Sequence, residues 1–320
     1  MKHVIPLAIA LLIIITCSIL LSFLAFSPKQ ELHFAHSTTL SQYFYAWDRK
    51  ILQSELNVKT TIVEDPQALG SYIMGQNPAD IVEVATVLAG IGHDNNQKVK
   101  IIGTLTKAMN ADSVVVVRKD SAVASPKDLK GKTIAIPGLA MTPVVLFREV
   151  LKQKYQVEYE QITYLLKPLP TLLTLLDEKQ VDAVIVFNIF AFQAQEHPEF
   201  SVLSDIDEEA KELIGDYPIA AVLASNEDTL KEKAHDLRLF LEVIKESHEY
   251  AILHKREIAE NLAPEFGLEP DIYEEFAFRI QPANIFLTSE DKQNILTILL
   301  FAYNQGLLQK TIGMEIFGEP

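Results

Sequence analysis

Hydroxyl, amide and carboxylate side chains gather at the ends of short apolar runs in this chain, a pattern suited to holding a small polar molecule. His36-Ser37-Thr38-Thr39 follows Leu32–Ala35, and Glu83 follows the run ending at Val82. The segment 138–142 follows Thr133–Ile136, and Asn188 follows Ala183–Phe187. A strand feeding a helix leaves backbone N–H groups unpaired at the helix start, where they can hold a ligand. Gly138, Ala140, Met141 and Thr142 offer such groups, with Thr142 expected as the cap and Pro143 at the first helical position. Ser37, Thr38 and Thr39 add hydroxyls, although plain helix capping explains each of them equally well. Glu83 is placed to accept from an amine or a ring N–H; a surface carboxylate or an ion pair between lobes is the competing reading. Asn188 can both donate and accept, unless it merely forms its own turn. Trp47 is a candidate stacking surface for a flat ligand, against ordinary core packing. Tyr217 is a candidate lid or hinge contact, against a loop residue that supports Pro218.

Catalytic patterns are missing from this inventory. The chain has no G-x-S-x-G elbow, no H-E-x-x-H and no phosphate loop. His93-Asp94 and His235-Asp236 are neighbours without metal-site spacing. Cys17 is the sole cysteine, so neither a disulfide nor a thiolate metal cluster can form within the chain. No enzyme activity, cofactor or metal is expected. Basic side chains are scarce at the strand ends, and Arg148, two turns into its helix, is expected to point elsewhere. Glu83 would repel an anion. A small neutral or cationic nitrogen-containing organic solute therefore fits better than nitrate or a sulfonate, although helix N-termini keep the anion reading open.

Strand-length apolar runs alternate with amphipathic segments from Leu32 to Ala224, after which the pattern is helical almost to the end. This implies an α/β fold with two mostly parallel sheets flanked by helices, and ligands in such folds bind beyond the carboxyl ends of the strands. The C-terminal helices lack a sheet of their own and are expected to return to the first one. Lobe one is assigned to residues 31–115 and 221–320, and lobe two to 116–220. Two independent tandem domains are the alternative.

Val4–Phe26 is uninterrupted by charge and long enough to cross a bilayer core of about 30 Å. With no small-x-small cleavage pattern after it, residues 1–30 are expected to be an uncleaved membrane anchor and linker, with a cleaved signal segment or a terminus lipidated at Cys17 as the alternatives. The lone Lys2 before the span would put the following domain on the periplasmic or extracellular side of the inner membrane. Net charge is −15, from 43 acidic against 28 basic residues. That balance argues against nucleic acid as a partner. A monomeric domain is expected.

Several phrases carry a resemblance to a known family. Asp128-Leu129-Lys130-Gly131-Lys132-Thr133-Ile134-Ala135-Ile136-Pro137-Gly138 is similar to the strand and ligand loop of the periplasmic solute-binding proteins of ABC importers, in particular the nitrate/sulfonate/taurine-type and pyrimidine-precursor group. The run from Leu172 to Val184, the segment Gly75–Ile81 and the return from Pro218 into the helix near Arg238–Tyr250 resemble the same group in the same order. The chain departs from it in having Lys179-Gln180 where glycine is usual, and Leu139-Ala140-Met141-Thr142 where glycine and serine are common. Bulkier side chains there narrow the pocket. The resemblance implies a two-lobed type II periplasmic binding protein fold that captures a small solute between its lobes and delivers it to an ABC permease. A membrane-anchored sensory or structural domain of the same fold, without transport, is the alternative.

Overall fold

Two mixed sheets organise residues 31–320, which the computed structural model describes apart from positions 53, 55, 65–67, 96 and 280. In chain order the strands are β1 (Leu32–Ser37), β2 (Val58–Val63), β3 (Ile81–Ala85), β4 (Val99–Lys107), β5 (Ser113–Arg118), β6 (Thr133–Ile136), β7 (Thr163–Leu166), β8 (Ala183–Phe187), β9 (Phe200–Asp205), β10 (Ile219–Asn226) and β11 (Gln281–Pro282). The helices are α1 (Ser41–Asp48), α2 (Leu69–Ile73), α3 (Thr86–Asp94), α4 (Thr142–Tyr155), α5 (Leu172–Asp177), α6 (Ile189–Glu196), α7 (Ile206–Ile214), α8 (Glu227–Glu232), α9 (Ala234–Leu253), α10 (Lys255–Leu262), α11 (Pro270–Ala277) and α12 (Ser289–Asn304). The first sheet has the order β11-β4-β10-β3-β1-β2 and the second β7-β6-β8-β5-β9.

The expectation of mostly parallel sheets needs correction. β1 runs parallel to β2 and β3, and β6 to β7 and β8, but β10 runs antiparallel to β3 and β4. β5 likewise runs against β8 and β9, and β11 against β4. β5 and β10 are the strands on which the chain enters a sheet from the other one, so they arrive from the opposite end. β5 lies whole in the second sheet and β10 whole in the first.

Burial explains the strand sequences. Val114–Val117 of β5 and every residue of β8 are buried, as continuous apolar runs covered by helices on both faces must be. β2, at the sheet edge, has only half-buried and exposed residues. The lysine-rich turn before β6 depends on Gly131, whose φ of +76° lies in the left-handed region and whose N–H donates to the Gln161 carbonyl at 2.7 Å.

The C-terminal helices form no separate bundle. α9 packs on α1, and α12 packs on both α3 and α4. Gln305, just beyond α12, donates to the Val145 carbonyl of α4 at 2.8 Å. Asn294 of α12 accepts from Ile219 N at 3.0 Å and donates to the Tyr217 carbonyl at 2.9 Å. One helix thus ties both sheets together behind the crossing segments. On the first sheet, Phe34 meets Phe44 and Phe240 edge-on at 5.3 and 4.9 Å, geometry that adds to their burial.

The expected N-terminal transmembrane helix is withdrawn, and with it the placement as a single-span inner-membrane protein. Among the described residues no helix is long and apolar enough to cross a membrane. Val4–Phe26, on which that reading rested, lies outside the described residues.

Gly103 in β4 shows how closely the segment before α12 and helix α9 approach the first sheet. A Cβ there would lie 2.8 Å from the Ile285 carbonyl oxygen and 3.3 Å from Leu241. Gly103→Ala should therefore destabilise the protein by about 1–3 kcal/mol through overpacking, read as a lowered denaturation midpoint.

Candidate functional site

Between the two sheets lies a small cavity of about 60 Å³. Of the expected site residues, Thr39, Glu83, Met141 and Asn188 line it, joined by Thr106, Asp112, Ser113 and Phe187. It holds about two waters' worth of space, whereas pockets for organic ligands usually reach about 300–1,000 Å³. An organic solute of ordinary size would therefore require the cleft to widen.

Glu83 is the most strongly determined group of the cleft. It is the middle residue of β3 and is only 4% exposed. Its Oε2 accepts from the Ser37 N–H at 2.6 Å and from Ser37 Oγ at 2.9 Å, across the parallel pairing of β1 with β3. Ser37 Oγ in turn lies 2.6 Å from Thr39 Oγ1. Burial pushes the Glu83 carboxyl up, opposed by the Ser37 N–H, the nearby His36 and the Ser37 hydroxyl. Ser37 therefore stands behind the cavity and holds the carboxylate.

The opposite wall carries Asp112 and Ser113, which sequence reading missed. Burial pushes Asp112 up to about 7, with Asp205 adding to the rise and Arg279 opposing it. Asp207 accepts from the Ser113 N–H at 3.0 Å, and burial, Asp112 and Asp205 raise its carboxyl too. The Ser113 hydroxyl has no hydrogen-bond partner among the described residues. Asn188 precedes α6 with φ 52° and ψ −135°, a conformation outside the common regions for a side-chain-bearing residue. Such strain costs on the order of 1–3 kcal/mol and is typical of binding sites. Asn188 N donates to the Asp112 carbonyl at 2.9 Å, which locks the two cleft residues together.

Other expected residues lie elsewhere. α4 begins at Thr142 with Met141 as its cap, so Pro143 occupies the second helical position rather than the first. The Thr142 hydroxyl donates to the Ala220 carbonyl at 3.3 Å, linking α4 to β10 instead of facing the cavity. Gly138, Ala140 and Thr38 are half-buried and absent from the cavity lining. Tyr217 is taken up by Glu208, which accepts from its hydroxyl, and by the Lys211 ammonium 3.9 Å from its ring centre.

Trp47 is also displaced. Apolar residues continue to Leu56, but α1 stops at Asp48, followed by Lys50 with φ 55°. In the last turn of α1, Trp47 faces β2, where its Nε1 donates to Thr60 Oγ1 at 3.2 Å. It lines a separate outer groove of about 700 Å³ with Asp48, Leu56 and Ile62. Trp47→Phe should thus change solute affinity by less than about 0.5 kcal/mol, as a direct titration would show.

With this geometry in view, the chain can be set beside known proteins. A sequence model described as NMT1/THI5 like matches residues 72–258. The chain belongs to the NMT1/THI5-like family. The sequence matches no curated protein. Among solved structures, the alkanesulfonate-binding protein SsuA of Xanthomonas axonopodis pv. citri, bound to MOPS, is similar with a TM-score of 0.75 at 18% identity, over 88% of this chain and 95% of that one. The periplasmic aliphatic sulphonate binding protein SsuA of Escherichia coli gives 0.71 at 14% identity, over 90% and 96%. The ligand-binding component of an ABC-type import system from Staphylococcus aureus gives 0.70 at 14%, over 91% and 97%. Together with the two sheets, these likenesses establish an α/β two-lobed periplasmic binding protein fold in this NMT1/THI5-like chain.

Carboxyl groups dominate the cleft electrostatics. Glu83 and Asp112 stand on walls from different sheets, and neither lysine nor arginine lines the cavity among the described residues. In their ionised form they suit a ligand with N–H donors or positive charge and repel an anion; Asp112, pushed up to about 7, is about half protonated at neutral pH and can then also donate.

Proposed function

We propose that the protein is the solute-binding component of an ABC-type importer. It captures a small nitrogen-containing organic solute between its lobes and presents it to a membrane permease. The lobes in this reading comprise residues of about 31–112 with 219–320, and about 113–218, hinged at the two crossing segments. Opening admits the solute and closure removes it from water. Catalysis has no part in this reading. The observation that carries the ligand class is the pair of cleft carboxylates, Glu83 and Asp112, without a lining cation. Glu83 accepts a donor from the solute, Asn188 supplies a second polar contact, and the backbone near Met141 a third.

An anion-binding reading draws on a different observation. Met141 caps α4 and lines the cavity, so the positive end of that helix lies close to the cleft. Sulfonates are named as ligands of two similar structures. The two readings separate in a thermal-shift screen over amines, pyrimidines, amino-sulfonates, nitrate and sulfonates. A ligand at one hundred times its Kd stabilises the folded state by about 2.7 kcal/mol. Stabilisation by nitrogen bases alone is the expected outcome; selective stabilisation by nitrate or simple sulfonates would transfer the assignment to anions.

A further inference from the structure

Behind Glu83, on the far side of Ser37, lies a buried histidine whose neighbours determine its charge. His36 is fully buried in β1, between the rings of Phe34 at 5.1 Å and Phe44 at 4.5 Å. Its Nδ1 is 3.0 Å from the Ser37 carbonyl oxygen, and its Nε2 is 3.3 Å from an oxygen of Asp48. A carbonyl and an ionised carboxylate only accept hydrogen bonds. A neutral imidazole has one N–H, so either tautomer would aim a ring lone pair at an acceptor inside the fold, an arrangement that costs free energy. Protonating both nitrogens satisfies both contacts at once. Moving the extra proton to the carboxylate is the poorer solution, because a free imidazole outranks a free carboxylate as a proton holder by about 2–3 pH units.

We propose that His36 is a buried imidazolium, held by Asp48 and the Ser37 carbonyl, that keeps the cleft carboxylate Glu83 ionised and so makes it an obligate acceptor for the ligand. His36 does not line the cleft cavity and is a positioning residue: it sets the charge of Glu83 from behind the strand. The same residue, Ser37, accepts from the imidazolium through its carbonyl and donates to Glu83 through its N–H. The charges run Asp48, His36, Glu83, minus, plus, minus, from the outer groove to the cleft. Burial lowers the His36 pKa, but Asp48, the Ser37 carbonyl and Glu83 together raise it above the ordinary value. The titratable groups facing His36 are Asp48 on α1 and Glu83 on β3, with His248 on α9 beyond Phe44. Without the imidazolium, burial would leave Glu83 protonated closer to neutrality, and a protonated Glu83 would offer the ligand a donor as well as an acceptor. The outward consequence for ligand choice rests on the solute-binding reading; the charge state of His36 does not.

The test is nitrogen NMR of the full-length protein carrying ¹⁵N-histidine, with ¹³Cδ-glutamate reporting Glu83. His36 should show two protonated ring nitrogens at pH 7.5, and Asp48→Asn should lower its titration midpoint by at least about one pH unit. In His36→Gln the Glu83 carboxyl should titrate at least about one pH unit higher than in the parent. His36→Gln could fail to fold, and Asp48→Asn keeps the question answerable, since Asp48 is partly exposed. A neutral His36 pattern at pH 7.5, or a midpoint unmoved in Asp48→Asn, would overturn the proposal. Both readouts need no ligand, so they fail or succeed independently of the solute-binding reading.

Discussion

Replacing Glu83 with glutamine is expected to weaken binding of the captured solute by about 2–5 kcal/mol, the range for breaking a buried charge pair. The substitution is close to isosteric. An amide oxygen can still accept from the Ser37 N–H that now lies 2.6 Å from Oε2, so the strand end should keep its form. What disappears is negative charge on a side chain almost wholly shielded from bulk water. A carboxylate on the open surface would give a change below about 1 kcal/mol. Calorimetric titration of parent and Glu83→Gln protein with the best stabilising amine or pyrimidine would read the difference directly.

The second large effect concerns acid stability. His248 on α9 is buried, its ring 4.9 Å from that of Tyr43 and 6.3 Å from that of Phe44, and neither nitrogen has a hydrogen-bond partner among the described residues. Burial pulls its pKa down to about 3. The folded state therefore holds His248 neutral while the unfolded chain protonates it near 6.5. Unfolding takes up a proton across this window, so the contribution to stability is complete above pH 6.5 and is lost as pH falls towards 3. At pH 5 the loss is about 2 kcal/mol by linkage. His248→Phe, which fills the same aromatic slot without a titrating group, should flatten the stability profile between pH 6.5 and 4. His36 acts in the opposite sense: its raised pKa favours the folded state below 6.5, and that contribution is lost as pH rises through the folded value. The His248 effect is accordingly read as a difference between parent and variant denaturation midpoints at each pH. A profile unchanged by the substitution would mean that His248 is not the group responsible.

Much of the architecture was legible because local chemistry and burial agree. The turn through Gly131 into β6 and the buried runs of β5 and β8 each follow from residue type, while the start of α4 lies one residue before the expected place. The rule that ligands lie beyond the carboxyl ends of strands directed attention to Glu83, Asn188 and Met141, which do line the cavity. The same rule hid Asp112, Ser113 and the Ala220–Ala221 wall. These lie at the amino ends of β5 and β10, which reach the cleft because both strands run antiparallel to their neighbours. Strand direction is a property of the chain crossing between sheets, and no local residue pattern announces it. Trp47 misled for a different reason. Apolar periodicity continues past Asp48, but the helix ends there, so the indole points to β2 rather than into the cleft. The pairing of His36 with Asp48, twelve positions along and across a turn, became visible only once β1 and α1 were packed together.

The ligand class is tested most directly by a crystal structure of the protein with the solute that stabilises it most. The account predicts an opened-and-closed cleft enclosing a nitrogen-bearing solute, with one of its donors about 3 Å from a Glu83 oxygen and Asn188 on its other side. A sulfonate or nitrate seated on the N–H groups at Met141 and Thr142, with no contact to Glu83, would contradict it.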